Sequence, residues 1–572
     1  MDTPLPLNNR AHGTAVVALC VAFPLGFGAL ALVLGQDTNY DLRNYHWYNP
    51  YAFLTGRLAL DIGPAHANTF YNPLLDVPVY LLGQALPAKA VGFLLGTVQG
   101  LNFVLLFALL RVLIVAPSPT QRSGFAAVVA GVGVLGGGHL SLVGTTYYDN
   151  VVSLAVIGAA LIVAASASTV FAGPMRSSFA RTATAGLVLG AGAGLKLPTA
   201  VFAVGFCAAF LVTAGSPGRR FGLAFAFGFG VLGGIAAFAG PWMWYLWTEY
   251  DNPLFPYFNE VFRSPMGLPA SYRDTRYIPQ SLWETLAFPV LFSFDPYRVA
   301  ETPFRDFRIL VAYVALLATP FILWGWRRAH RSAAPAVEPP AVDPLVARYV
   351  IAAAVLSYVA WIPLFSIYRY IVSLEMLAPV LVTAAVGLWP VAPRARVAAV
   401  ATALAVVAVT AKPGSWGRLE SWTERFVEVE APALPRPDAT LVVITGFEPV
   451  AFVIPAFPPP VAFVRLQGYL NHPDDGDTGL NRRVRERLAR HGGDIYLIFP
   501  DWGAEHPDWA AREQETTVAA LLRYGLAADF GACRSITANL ADYVRLCPVV
   551  RRSGQGPVDR KSAAPTAAEA AP

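Results

Sequence analysis

Charge is what this 572-residue chain has least of for its length: Asp, Glu, Lys and Arg make up 14% of it, against 55% hydrophobic residues. A soluble chain carries roughly a quarter charged residues, so most of this one is not built as water-facing surface. The shortage is uneven: residues 1–412 are long apolar runs broken by short polar patches, whereas 413–553 read as an ordinary soluble segment. Cysteine is scarce too, with four in all. Cys20 and Cys207 fall in apolar runs and read as packing, while Cys533 and Cys547 are near neighbours able to pair in an oxidising compartment. No His/Asp cluster has metal-ligand spacing, so neither a metal nor another cofactor is expected. The net charge is only +5, and its Arg and Lys sit between apolar runs instead of along one face, which argues against a nucleic-acid partner.

What is abundant is apolar sequence in membrane-sized pieces. A hydrocarbon core about 30 Å thick is crossed by roughly 20 helical residues. Candidates fall near 14–35, 89–115, 124–143, 151–171, 183–195, 198–214, 221–247, 308–326, 347–365, 369–389 and 396–412. The expected fold class is therefore mainly α: a polytopic bundle of about eleven transmembrane helices (1–412) and a small C-terminal α/β soluble domain (413–550), followed by a disordered tail (551–572). The apolar stretch 74–86 is short and reads as re-entrant or interfacial. The first run is too long for a cleaved signal peptide and has no small-residue cleavage site.

Arginine placement gives the orientation. With the N-terminus in the cytoplasm, the inside loops carry Arg10, then Arg111 and Arg122, Arg176 and Arg181, Arg219 and Arg220, Arg327, Arg328 and Arg331, and Arg394 and Arg396. The alternation holds only if 183–214 is two short helices. The C-terminal domain then lies outside, in the periplasm of a bacterial inner membrane, where a Cys533–Cys547 disulfide is expected.

The outside loops are rich in chemistry. The first, 36–73, holds Asp37, Asp41, Arg43, His46, Asp61 and His66 among many aromatic residues, including Tyr45. Asp149 lies in TTYYDN, and Lys196 in GAGLKLP falls where two short helices meet. A lysine in an apolar stretch marks a functional hypothesis, with snorkelling to headgroups as the plain alternative. Arg305 and Arg308 lie in DPYRVAETPFRDFR, and Arg369 and Glu375 in IYRYIVSLEML. Arg and Lys suit a phosphate, a carboxylate suits taking a proton from an attacking hydroxyl, and an apolar helix wall suits a lipid tail.

This layout resembles the polytopic glycosyltransferases of the C superfamily, and YDLRNYHWYNPYAFLTGRL resembles the acid-plus-tyrosine stretch of the family 87 enzymes that use polyprenyl-phosphate-mannose. The resemblance covers about 400 residues in layout, with only short motifs specific. It implies transfer of a sugar, with inversion, from a polyprenyl-phosphate-linked donor in the membrane lipid to a glycan, lipid or protein acceptor. Asp41 would be the base, with Asp37 its competitor. Lys196, Arg369, Arg305 and Arg308 would meet the donor phosphate, and Tyr45, His46, Asp149 and Glu375 would bind substrate. The WWDYG-type signature of oligosaccharyltransferases is absent, which argues against transfer to asparagine.

In the soluble segment, strands are expected at 440–445, 461–466, 494–499 and 543–547 and helices at 448–454, 480–491 and 509–524, an alternation that implies a largely parallel sheet. TGFEPVAF after the first strand does not fit a Gly-rich phosphate loop. Rival readings are a lipid-linked polysaccharide polymerase or ligase, a transporter or flippase, and a non-catalytic scaffold. A transporter would place charges near mid-membrane and repeat its halves, and neither pattern is seen.

Overall fold

The computed structural model describes residues 7–329, 338–503 and 507–552. The expected tail lies outside them except for Arg551, which ends a strand, and Arg552. The chain divides into two compact units: Met1–Leu42, Asn72–Thr248 and Arg273–Phe426 form the first, and Arg43–Tyr71, Glu249–Tyr272 and Val427–Pro572 the second.

The first unit is helical. Seven of its helices are long and apolar enough to cross a membrane: His12–Leu34, Ala88–Leu113, Pro217–Phe238, Arg308–Ala329, Pro344–Leu364, Tyr368–Gly387 and Pro393–Thr410. The other expected spans are also helical but shorter or less apolar, as Pro119–Val134, Asp149–Ala165, Met175–Leu195 and Leu197–Val212. The run 221–247 breaks after Phe238 and resumes as Gly240–Tyr250, and 74–86 holds the end of the 3-10 turn Pro73–Leu75 and the short helix Val77–Ala85.

Three helix starts share one arrangement. Ser118, Ser216 and Asp343 each precede a proline, and each side chain accepts a hydrogen bond from a backbone N–H of the first turn. The cap satisfies an orphan donor, and proline gives up no needed one at that position.

Glycine sets one close helix crossing. Gly186 and Gly190 of one helix face Gly230 and Gly234 of another, and a Cβ at Gly190 would lie 2.2 Å from the Val231 carbonyl oxygen. Small residues four apart let two membrane helices pack backbone against backbone. The helix Tyr368–Gly387 is the centre of this unit, 94% buried over its apolar window, whereas Arg308–Ala329 and Pro393–Thr410 are only 11% and 17% buried.

Strands β1 (Gln36–Asp37) and β2 (Arg418–Leu419) pair antiparallel. With them, Arg418 donates to the carbonyls of Gly35, Ser141 and Val143, and Trp422 Nε1 donates to that of Leu32. These bonds hold 413–426 in the helical unit, so the boundary falls after Phe426 instead of near residue 413.

The second unit carries β3 (Val429–Glu430), β4 (Thr440–Ile444), β5 (Ala462–Arg465), β6 (Asp494–Pro500), β7 (Leu526–Ala528), β8 (Arg534–Ser535), β9 (Thr537–Ala538) and β10 (Val544–Arg551). The main sheet runs β5-β4-β6-β10-β7, with β8 also on β10. β4 is parallel to β5 and β6, but β10 is antiparallel to β6, β7 and β8, so the sheet is mixed. Helices Gly479–Arg490 and Pro507–Arg523 occupy the expected places. Two segments that link helices of the first unit along the chain, 43–71 and 249–272, belong to this unit. Ile62 bridges Val464, and buried Asp61 accepts from Arg57 and from the Phe463 N–H. The N–H groups of Gly479 and Leu480 donate to the carbonyls of Pro265 and Met266. Cys533 and Cys547 are joined in a disulfide.

Candidate functional site

Four charged side chains from four separate segments of the helical unit meet in one cluster. Asp149 is the first residue of its helix, set by Tyr148 in the left-handed region at φ 61°. A carboxylate at a helix N-terminus is favoured by the exposed N–H groups there. Lys196 sits in extended backbone between Met175–Leu195 and the turn Leu197–Thr199. Its Nζ lies 2.8 Å from Asp149 Oδ1 and donates to the Tyr147 carbonyl. Arg369, in the 3-10 turn Tyr368–Ile371 that opens the central helix, places Nη1 3.5 Å from Asp149 Oδ2 and 3.8 Å from Asp41 Oδ2. Its guanidinium lies 4.0 Å from the centre of the Tyr147 ring, a cation–π contact.

Accessibility separates the members. The Asp149 side chain is 4% exposed, Arg369 11%, Lys196 14% and Asp41 18%. Asp149 is thus doubly paired and deep, whereas Asp41 is the most accessible acid and holds Arg369 at a longer distance. The buried Nε of Arg369 has no acceptor among the described residues. A buried donor left so is costly, and an incoming oxygen would satisfy it.

Asp37, Glu375, Arg308 and Arg305, of the same unit, make other contacts. Asp37 is fully buried and accepts from the N–H and Nδ2 of Asn39 and the N–H and Oγ1 of Thr146, at 2.7–3.1 Å. It holds the TTYYDN segment in place. Glu375 is fully buried and accepts from the N–H groups of Gly138 and His139. Arg308, also fully buried, pairs with Asp306 and donates to the carbonyls of Val132 and Leu135. Arg305 donates through Nε to the Thr410 carbonyl. Tyr45 and His46 belong to the second unit, their ring centres 4.0 Å apart and their planes tilted by 43°. Tyr147 and Tyr370, whose rings carry the two cations, were not singled out from the sequence. The signal available was that each adjoins or nearly adjoins a charged member.

The second unit has its own polar cluster. Arg43 donates to Tyr543 Oη at 2.5 Å, and Tyr543 lies 3.4 Å from Glu448 Oε2. Burial raises the Glu448 carboxyl, and burial together with Glu448 pushes Glu513 up to about 7. His66, fully buried and beside Arg465, is held well below the usual imidazole range. Among the described residues, no group of three or more His, Cys, Asp or Glu is arranged to hold a metal.

Comparison with protein-family models, with curated proteins and with solved structures finds no match.

Proposed function

We propose that this chain is a multi-pass glycosyltransferase of the bacterial inner membrane, moving a monosaccharide with inversion from a polyprenyl-phosphate-linked donor to an acceptor hydroxyl. The observation that carries this reading is the meeting of Asp41, Asp149, Lys196 and Arg369, two acids and two cations from segments far apart in sequence. Asp41 takes the proton of the acceptor hydroxyl as its oxygen bonds to the anomeric carbon. The bond from that carbon to the phosphate oxygen breaks, and its electron pair leaves with the lipid phosphate. Arg369 and Lys196 offset the growing charge. Arg369 is suited to this because its contacts to both acids are long and its Nε is unsatisfied. Asp149 positions the two cations. Asp37 and Glu375 are supports for the segments that carry the site, and Arg308 belongs with them.

Sidedness has two supports. The loops 43–71 and 249–272 form one unit with the C-terminal segment, which favours their emerging on one face. The disulfide fits an oxidising compartment there. Beside the seven helices long and apolar enough to cross, we count four shorter or less apolar helices as crossings, which makes eleven, with the N-terminus in the cytoplasm and the C-terminal domain in the periplasm.

The test is transfer. Purified full-length protein in lipid, supplied with radiolabelled polyprenyl-phosphate sugars and a membrane extract, should move label to an acceptor. Failure with every such donor would reject the reaction class.

A further inference from the structure

Arg305 and Lys412 lie at the same end of two poorly covered helices. Arg305 comes just before Arg308–Ala329 and Lys412 just after Pro393–Thr410. Their backbones exchange both hydrogen bonds, N–H of each to carbonyl of the other, at 2.8–2.9 Å. The segments 303–305 and 412–415 line a shallow groove of about 460 Å³. A Cβ at Gly414 would lie 2.6 Å from the Pro303 carbonyl oxygen, so the two segments are packed as closely as glycine allows.

Both cations are exposed, and neither has an acidic partner among the described residues. That differs from Arg276 and Arg298, which are paired with Asp274 and Glu284. The helices below present apolar side chains outward: Val314, Leu317 and Phe321 on one, Val406 and Val409 on the other. Two unpaired cations above an exposed apolar wall match an amphiphile with an anionic head and acyl tails. A second groove, of about 400 Å³ between Ala200–Val212 and Pro344–Leu364, has a single cation, Arg348, and lacks that match.

We propose that the Arg305–Lys412 groove binds the phosphate of an anionic bilayer phospholipid, its acyl chains lying along the two helices. This reassigns Arg305 from the sugar donor to the surrounding membrane, and it stands whether or not the proposed transfer is correct. Snorkelling alone would bring each cation to the interface but gives no reason for both to line one concavity without acidic partners.

The test uses the purified, delipidated full chain titrated with phosphatidylglycerol, phosphatidylcholine or a short-chain polyprenyl phosphate, with bound lipid read by native mass spectrometry. Phosphatidylglycerol should bind in preference to phosphatidylcholine. Arg305→Gln with Lys412→Gln should weaken it roughly twenty-five-fold, two charges at about fivefold each, and Arg348→Gln should leave it unchanged. The charge-preserving pair Arg305→Lys with Lys412→Arg should restore most of the affinity, separating charge from fold. Equal affinity in wild type and the Gln pair, equal loss in Arg348→Gln, no preference over phosphatidylcholine, or a Gln-pair effect seen with polyprenyl phosphate alone would each overturn the proposal.

Discussion

Replacing Asp37 and Asp41 separately by Asn separates a structural acid from a reacting one. Asp37 is fully buried, and its oxygens receive two backbone N–H groups, the Asn39 amide and the Thr146 hydroxyl. In Asp37→Asn one acceptor oxygen becomes an NH2 donor, so whichever way the amide turns, a buried backbone N–H from Asn39 or Thr146 loses its acceptor. An unsatisfied buried donor costs about 1–3 kcal/mol, and the loss of charge-assisted bonds adds to it, for a total of roughly 2–4 kcal/mol. Asp41 is the most accessible member of its cluster, and its pair with Arg369 is long at 3.8 Å. Asp41→Asn should therefore cost less than about 1 kcal/mol while lowering transfer on the order of a hundredfold or more. Thermal melts in detergent followed by tryptophan fluorescence, beside the radiolabel transfer assay, read both effects. Asp37→Asn should melt lower by several degrees, and the activity of the folded fraction should persist. A fully active Asp41→Asn together with a well-folded, inactive Asp37→Asn would refute the assignment of the base, and full activity in both would count against the reaction itself.

Three further outcomes follow from the packing. Gly190→Ala should strongly destabilise the helical unit, because its Cβ would meet the Val231 backbone at 2.2 Å, whereas Gly228→Ala, with nothing nearer than the Cys207 Sγ at 3.9 Å, should melt like wild type. Glu513 has its carboxyl raised to about 7 from an ordinary 4.5, so the folded state holds that proton more tightly than the unfolded one. The resulting stability is present below about pH 4.5 and is lost as pH rises through 7, by up to about 3 kcal/mol. Glu513→Gln should therefore melt higher than wild type at pH 8, and its pH dependence between 4.5 and 8 should be flatter. Reducing the Cys533–Cys547 bond, a sequence separation of 14, should destabilise the second unit by about 3 kcal/mol, read as a lower denaturation midpoint with reductant than without.

Composition and order along the chain determined a good part of this protein. Each long apolar run is helical over most of its length, because an apolar segment must satisfy its own backbone hydrogen bonds. Lys196 was legible as a break between helices, since a lone lysine and a proline interrupt an apolar run there. The strands 440–444 and 494–500 were legible too, their β-branched and aromatic residues bounded by turn residues.

Only the tertiary structure decided which of these pieces meet. Hydropathy is a property of one helix, so Tyr368–Gly387 at 1.8 and Pro393–Thr410 at 1.4 look alike in sequence, yet one is buried at the centre of its unit and the other is nearly bare. Asp37 and Asp41, four residues apart, are rivals in sequence. Neighbouring Asn39 and, more than a hundred residues away, Thr146 together donate to Asp37, which is fully buried. The antiparallel docking of β10 on β6 likewise depends on a return path that strand patterning does not encode. Sequence order set the elements, because backbone satisfaction and local turn chemistry act over a few residues. The cluster of Asp41, Asp149, Lys196 and Arg369 needed the fold, because charges pair across space and their partners lie on different helices.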